Sequence, residues 1–191
     1  MKLASASKQE GEGEGRSWML AVMYRLGQGF QHLGLVAPLN AEDHAEVERW
    51  LPVSALALFY SMSRADQQHS LRVCLGLQKR GYDEQNLLAA SLLHDVGKAQ
   101  GRVPFWTRPT IVLSKRLAPD WLQHHIVHPC DFATHRVPPW QQSLSYAWWH
   151  ADVGAELAAQ AGLSERAVLY IRTHHQPDGP AAALHRVDEV S

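Results

Sequence analysis

An all-α fold is expected from three observations on this chain. Apolar residues recur at helical spacing along most of its length, and no segment alternates apolar and polar residues with period two between hairpin turns. Ser, Asn and Asp also stand ahead of the apolar runs, with Gly behind several of them, as helix caps do. At 191 residues the chain is long enough for one domain with a substantial core.

The elements follow in order. Met1 to Arg16 is polar, contains Gly11-Glu12-Gly13-Glu14-Gly15 and lacks the apolar centre of a signal peptide, so residues 1–16 read as a disordered tail. Residues 17–62 read as an N-terminal helical extension packed on the core. Its first amphipathic helix runs from Trp18 to about Leu33, its second follows the cap Asn40, and Pro52 opens its third. Residues 63–191 read as the main domain. Ser63-Arg64-Ala65-Asp66 has the form of a capping box and starts a helix through His69 and Val73 that Gly81 ends. Asp83 is expected to cap the next helix, almost wholly apolar from Leu87 to Leu93, which delivers His94 and Asp95 at its end, where Gly97 lets the backbone turn.

From Gly101 to Pro139, six prolines break the pattern into short helices and loops, a stretch expected to form a lid or wall. Pro139 and Trp140 lead into a helix carrying His150, which Gly162 ends. Ser164-Glu165-Arg166 begins another, reaching His174 and His175, and Pro180 starts a last short helix to Asp188.

Composition narrows the function. The net charge is −1, so the molecule as a whole carries no strong signal for nucleic acid or acidic lipid, and any anion recognition is local. Two cysteines, Cys74 and Cys130, lie far apart and outside any Cys-x-x-Cys pattern, which argues against a disulfide framework or a zinc ribbon and for a reduced cytoplasm. The longest apolar stretches, such as Leu51 to Tyr60, are about half of the roughly 20 residues a spanning helix needs.

Seven polar residues interrupt the apolar helical faces: His69, His94, Asp95, His150, His174, His175 and Asp188. All are metal-ligating types, and they come from separate helices, as when a bundle directs ligands inward. Five imidazoles and two carboxylates without a thiolate suit one or two divalent ions of manganese, iron, cobalt, nickel or zinc rather than calcium or a soft metal. The bland alternative for each histidine taken singly is a hydrogen-bonded or half-exposed side chain. His124, His125, His128 and His135 lie in the proline-rich stretch without carboxylate support and read as surface or lid residues, and His32, His44 and His185 as structural ones.

The order of these residues resembles the HD-domain superfamily of metal-dependent phosphohydrolases. The likeness rests on His69 in Asp66-Gln67-Gln68-His69, the doublet in Leu92-Leu93-His94-Asp95-Val96-Gly97-Lys98, and Asp188 in Leu184-His185-Arg186-Val187-Asp188, and it spans roughly Ala57 to Ser191. It implies a helical bundle in which His69, His94, Asp95 and Asp188 hold a first metal. His150 in His-Ala-Asp-Val-Gly and the His174-His175 pair are similar to those of two-metal branches such as the HD-GYP type. They imply a second ion, held by His150 with one or both of His174 and His175 and bridged to the first by Asp95. The match departs after Asp178-Gly179, where Pro180-Ala181-Ala182 replaces the Gly-Tyr-Pro signature, so hydrolysis of cyclic di-GMP is not implied.

Two metals together activate a water and stabilise the oxygens of a phosphoester displacement. Asp95 is therefore expected to take part in catalysis, and Lys98, three residues on, to contact a phosphoryl oxygen. Lys98 reads equally as neutralising the carboxyl end of the doublet helix. Between Val96 and Trp149 the basic residues Lys98, Arg102, Arg108, Lys115, Arg116 and Arg136 outnumber Asp120 and Asp131, which fits a small anionic, phosphate-containing substrate or an ordinary solvated face. Trp106, Trp121, Trp140, Trp148 and Trp149 crowd the same region, where they either stack on a base or fill the core. Two other functions remain open at this point: an HD-type diiron oxygenase using a comparable cage, and a nucleotide-sensing module with a structural metal.

Overall fold

The computed structural model describes residues 37–191 except 101, 102, 105 and 106. The expected tail at 1–16 and helix from Trp18 to about Leu33 lie outside the described residues. So do His32, Trp106, and the side chains of Arg102 and Arg108. Every regular element among the described residues is helical: α1 (Ala41–Trp50), α2 (Val53–Ser61), α3 (Arg64–Lys79), α4 (Gln85–Leu93), α5 (Gly97–Gln100), α6 (Thr107–Leu117), α7 (Pro119–His125), a 3-10 turn (Pro129–Asp131), α8 (Phe132–His135), α9 (Pro139–Gln160), α10 (Glu165–Thr173) and α11 (Ala182–Asp188). None of these helices is long and apolar enough to cross a membrane. Both cysteines are free thiols, Cys74 buried and Cys130 exposed.

Local chemistry sets most of the boundaries. Asn40 and Asp43 form a reciprocal capping box on α1, and the hydroxyls of Ser63 and Ser164 accept from the backbone N–H groups of Asp66 and Ala167. Gly81 and Gly162 take positive φ just beyond α3 and α9. Pro119 and Pro139 occupy the first helical positions of α7 and α9, whereas Pro109, expected to break the pattern, lies within the first turn of α6.

Three boundaries differ from expectation. Asp83 does not cap α4: Glu84 holds that position without capping through its side chain. Its carboxylate is drawn to distant partners instead, Arg166 at 2.8 Å and the Tyr170 hydroxyl at 3.2 Å. Helix α4 stops at Leu93, leaving His94 as its C-cap and Asp95 in the following turn. Pro180 stands ahead of α11 rather than inside it, with Ala181 as the cap.

Helix α4 runs through the core with every residue from Leu87 to Leu93 buried. It packs between α3 and α10 and touches α1 and α2, whose Val47, Trp50, Ala55 and Phe59 share the same apolar cluster. Full burial of leucines such as Leu88, Leu92 and Leu93 contributes about 1.5–3 kcal/mol each. That anchoring fixes the end of α4, and with it the doublet.

Two close approaches bring the remaining helices around this end. Gly97 does not act through positive φ, a conformation confined to Gly81 and Gly162 among the described glycines. A Cβ on Gly97 would instead overlap the carbonyl oxygen of His150 and lie 2.9 Å from the Gly154 nitrogen, so its missing side chain lets α5 cross directly over α9. On the other side, a Cβ on Gly76 would lie 2.8 Å from Val187 Cγ1, which seats α11 against α3. The first approach aligns His150 with the doublet, and the second aligns Asp188 with His69.

Candidate metal centre

Five helices deliver the seven candidate side chains to one place. Ligating atoms of His69, His94 and Asp95 lie within 4.8 Å of one another, and so do those of His150, His174 and His175. Asp188 Oδ1 joins the first group, 2.8 Å from His69 Nε2 and 3.5 Å from His94 Nε2. Asp95 connects the halves: Oδ2 is 3.7 Å from His94 Nε2, and Oδ1 is 3.5 Å from His150 Nε2.

One device orients three of the imidazoles. His94, His150 and His174 each direct Nδ1 at the carbonyl three residues back, Ser91 at 2.8 Å, Ala147 at 2.8 Å and Ile171 at 2.7 Å. A carbonyl only accepts, so Nδ1 carries the hydrogen and, in the neutral ring, Nε2 presents a lone pair to the cage. For His94 and His174, at the ends of α4 and α10, the bond also serves a last-turn carbonyl. His185, a structural residue by its sequence context, adds support by donating from Nδ1 to the carbonyl of His174 at 3.1 Å.

The inward-facing nitrogens are the anomaly. Nε2 of His94 and Nε2 of His174 are buried with no hydrogen-bond partner, on residues that are 0% exposed. Leaving such an atom unsatisfied costs about 1–3 kcal/mol, so two in one cluster need a physical reason. The carboxylate oxygens nearest His94 Nε2, Asp188 Oδ1 at 3.5 Å and Asp95 Oδ2 at 3.7 Å, present only further lone pairs to the neutral ring. A cation resolves this conflict. Ligand atoms about 2.1 Å from a shared ion at octahedral or tetrahedral angles lie about 3.0–3.4 Å apart, close to the spacings around Asp95 and His94. The donors therefore fit a divalent metal.

Electrostatics agree with the geometry. Burial pushes the His174 imidazole down to about 3, assisted by His94 and His175 beside it. His175 is exposed as a residue, yet its ring turns inward, and burial followed by the Lys98 charge lowers it to about 4. Burial and then Lys98 likewise hold His150 well below its ordinary value. All three imidazoles are thus held neutral at neutral pH, with a lone pair each to offer. For His94, burial acts downward, but the Asp95 carboxylate and then Asp188 outweigh it and raise the imidazole. Burial would raise Asp188, and the imidazoles of His69 and His94 overcome that and hold its carboxyl far below the usual range.

Lys98 Nζ forms an ion pair with Asp95 Oδ1. Elsewhere in the basic segment, Lys115 lies over the Trp148 ring at 4.5 Å, while Trp121 and Trp140 are exposed and pack their rings on His125 instead of filling the core. His128 is 2.9 Å from Cys130 Sγ. Among the described residues, only the two halves of the cage bring together three or more metal-ligating side chains, so the proline-rich histidines form no such group. Sequence reading missed the Nδ1 bonds that preset the ligands and the contact role of Gly97.

Comparisons of the chain with family models, with curated proteins and with solved structures gave no match.

Proposed function

We propose that the chain is a metal-dependent phosphohydrolase of the HD-domain type acting on a phosphate ester, a nucleotide being one candidate substrate. The observation that carries this reading is Asp95, buried between a carboxylate-bearing half and an all-imidazole half with one oxygen toward each. Divalent metal bound there supplies Lewis acidity, lowering the pKa of a water toward about 7 and neutralising phosphoryl charge.

The chain's own residues then have distinct tasks. His69, His94, Asp95 and Asp188 would hold a first ion, and His150, His174 and His175, with Asp95, a second. Preset Nδ1 bonds spare His94, His150 and His174 any reorientation as metal enters. Lys98, with an 11% exposed side chain at the same carboxylate, supplies a positive charge that a phosphoryl oxygen can meet.

Protein purified without chelators and loaded in turn with manganese, iron, cobalt, nickel and zinc tests the proposal. Hydrolysis of phosphomonoesters or diesters is expected with at least one metal and is expected to vanish in His94→Ala and Asp95→Ala. No turnover above those controls rejects it. Substrate-dependent oxygen uptake by the iron form would move the reading to a diiron oxygenase. Nucleotide binding that stabilises the protein without turnover would move it to a sensor.

A further inference from the structure

Asp95 does not offer its two oxygens equally. Oδ2 faces His94, whereas Oδ1 faces His150 and already carries the Lys98 ammonium. Both side chains are largely out of water, Asp95 2% and Lys98 11% exposed, so little solvent screens a further charge arriving at that oxygen.

We infer that Lys98 gates the second ion: its ammonium stands at the Asp95 oxygen that a metal on the His150–His174–His175 half must share, and a phosphoryl anion opens that place by drawing the ammonium away. The inference rests on the two-ion reading of the cage and adds a coupling to it. Gly97 pins the backbone beside Lys98 to α9, while the four-carbon stem remains able to move between two anionic partners. Phosphate and the second ion then bind cooperatively, each favouring the state the other needs, whereas the first ion, on the Oδ2 side, binds without this competition. A lysine that only neutralised Asp95 would support folding and leave the affinity of the second ion alone.

Calorimetric titration of the metal-stripped full chain with manganese, with and without inorganic phosphate, separates these cases. In the wild type, a second ion about tenfold weaker than the first and strengthened about tenfold by phosphate is expected. Lys98→Met is expected to bind the second ion about tenfold more tightly without phosphate and to lose most of the phosphate effect, and Lys98→Arg to keep the wild-type pattern. An unchanged second affinity in folded Lys98→Met overturns the gate. So does a wild-type second affinity that phosphate leaves unaltered, a measurement independent of whether the variant folds. Failure of the wild type to bind any ion overturns the underlying metal centre, and two ions bound without phosphate coupling overturns the gate alone.

Discussion

Nε2 of His150 and Nε2 of His175 face each other at 2.9 Å. His150 has committed its Nδ1 hydrogen to Ala147, so in the neutral ring its Nε2 offers a lone pair, and the gap is bridged by a His175 proton or by a shared cation. With His174 Nε2 in the same group and no partner of its own, a divalent ion satisfies more of these atoms than one proton can. Metal is therefore expected to stabilise the stripped protein, by about 2.7 kcal/mol when free ion exceeds its Kd 100-fold. Thermal scans with chelator and with each of manganese, iron, cobalt, nickel and zinc check this, and His174→Ala is expected to reduce the gain. No shift with any metal contradicts it.

The same burial sets a pH dependence for the metal-free protein. His174 and His175, lowered to about 3 and about 4, stay neutral in the fold where the unfolded chain takes up protons near 6.5. The unfolded state thus binds more protons as pH falls from 6.5 toward 4, and stability drops across that window. His94 works in the opposite sense: its raised value contributes stability that is present below 6.5 and lost as pH rises through the folded pKa. Asp188, held low, adds a further loss only in acid below its unfolded value of 3.8. Urea midpoints of stripped protein are expected to peak near pH 6.5 and fall on both sides, and a midpoint that rises from pH 6.5 to pH 4 would contradict the neutral burial of these rings.

Asp188→Asn separates the cage from ordinary packing. On the proposed reading Asp188 either ligates an ion or orients His69 through their 2.8 Å contact, and removing its charge is expected to weaken metal binding by about 10–100-fold in both cases. Glu84→Gln is the matched control. It breaks an ion pair with Arg166, whose side chain is 63% exposed, so it costs no more than about 1 kcal/mol and leaves metal affinity unchanged. Metal titration and urea unfolding of both variants check the contrast.

What was legible in the sequence was what local chemistry determines. The caps at Asn40, Ser63 and Ser164 act within three residues of themselves, and the glycines after α3 and α9 need only their own φ. The seven polar residues on apolar faces were legible too, because each interrupts a helical pattern, and the structure brings all of them to one cage. The cap of α4 was not, since Glu84 is occupied by Arg166 and Tyr170, more than 80 positions away. Nor was the role of Gly97: a turn-making glycine and a contact glycine look alike until the opposing backbone is in place. The pairing of Asp95 with both halves likewise depends on the crossing of α5 and α9.

That crossing yields the sharpest structural prediction. Gly97→Ala puts a methyl group into the His150 carbonyl and close to the Gly154 nitrogen, and because both obstacles are backbone, no rotamer change relieves the overlap. The helices must separate, at a cost of about 1–3 kcal/mol typical of overpacking. Gly154→Ala meets its nearest atoms, Gly97 N and Val96 Cγ1, at 3.3 Å and is expected to cost less. Gly76→Ala meets Val187 Cγ1, a side-chain methyl that can shift, and is expected to fall below Gly97→Ala as well. Separation also widens the 3.5 Å approach of Asp95 to His150, so on the proposed two-ion reading Gly97→Ala is expected to weaken the second ion more than the first. Urea unfolding of the three variants, followed by metal titration of those that fold, checks the order. Equal costs at all three glycines would show that the α5–α9 contact yields as easily as a side chain.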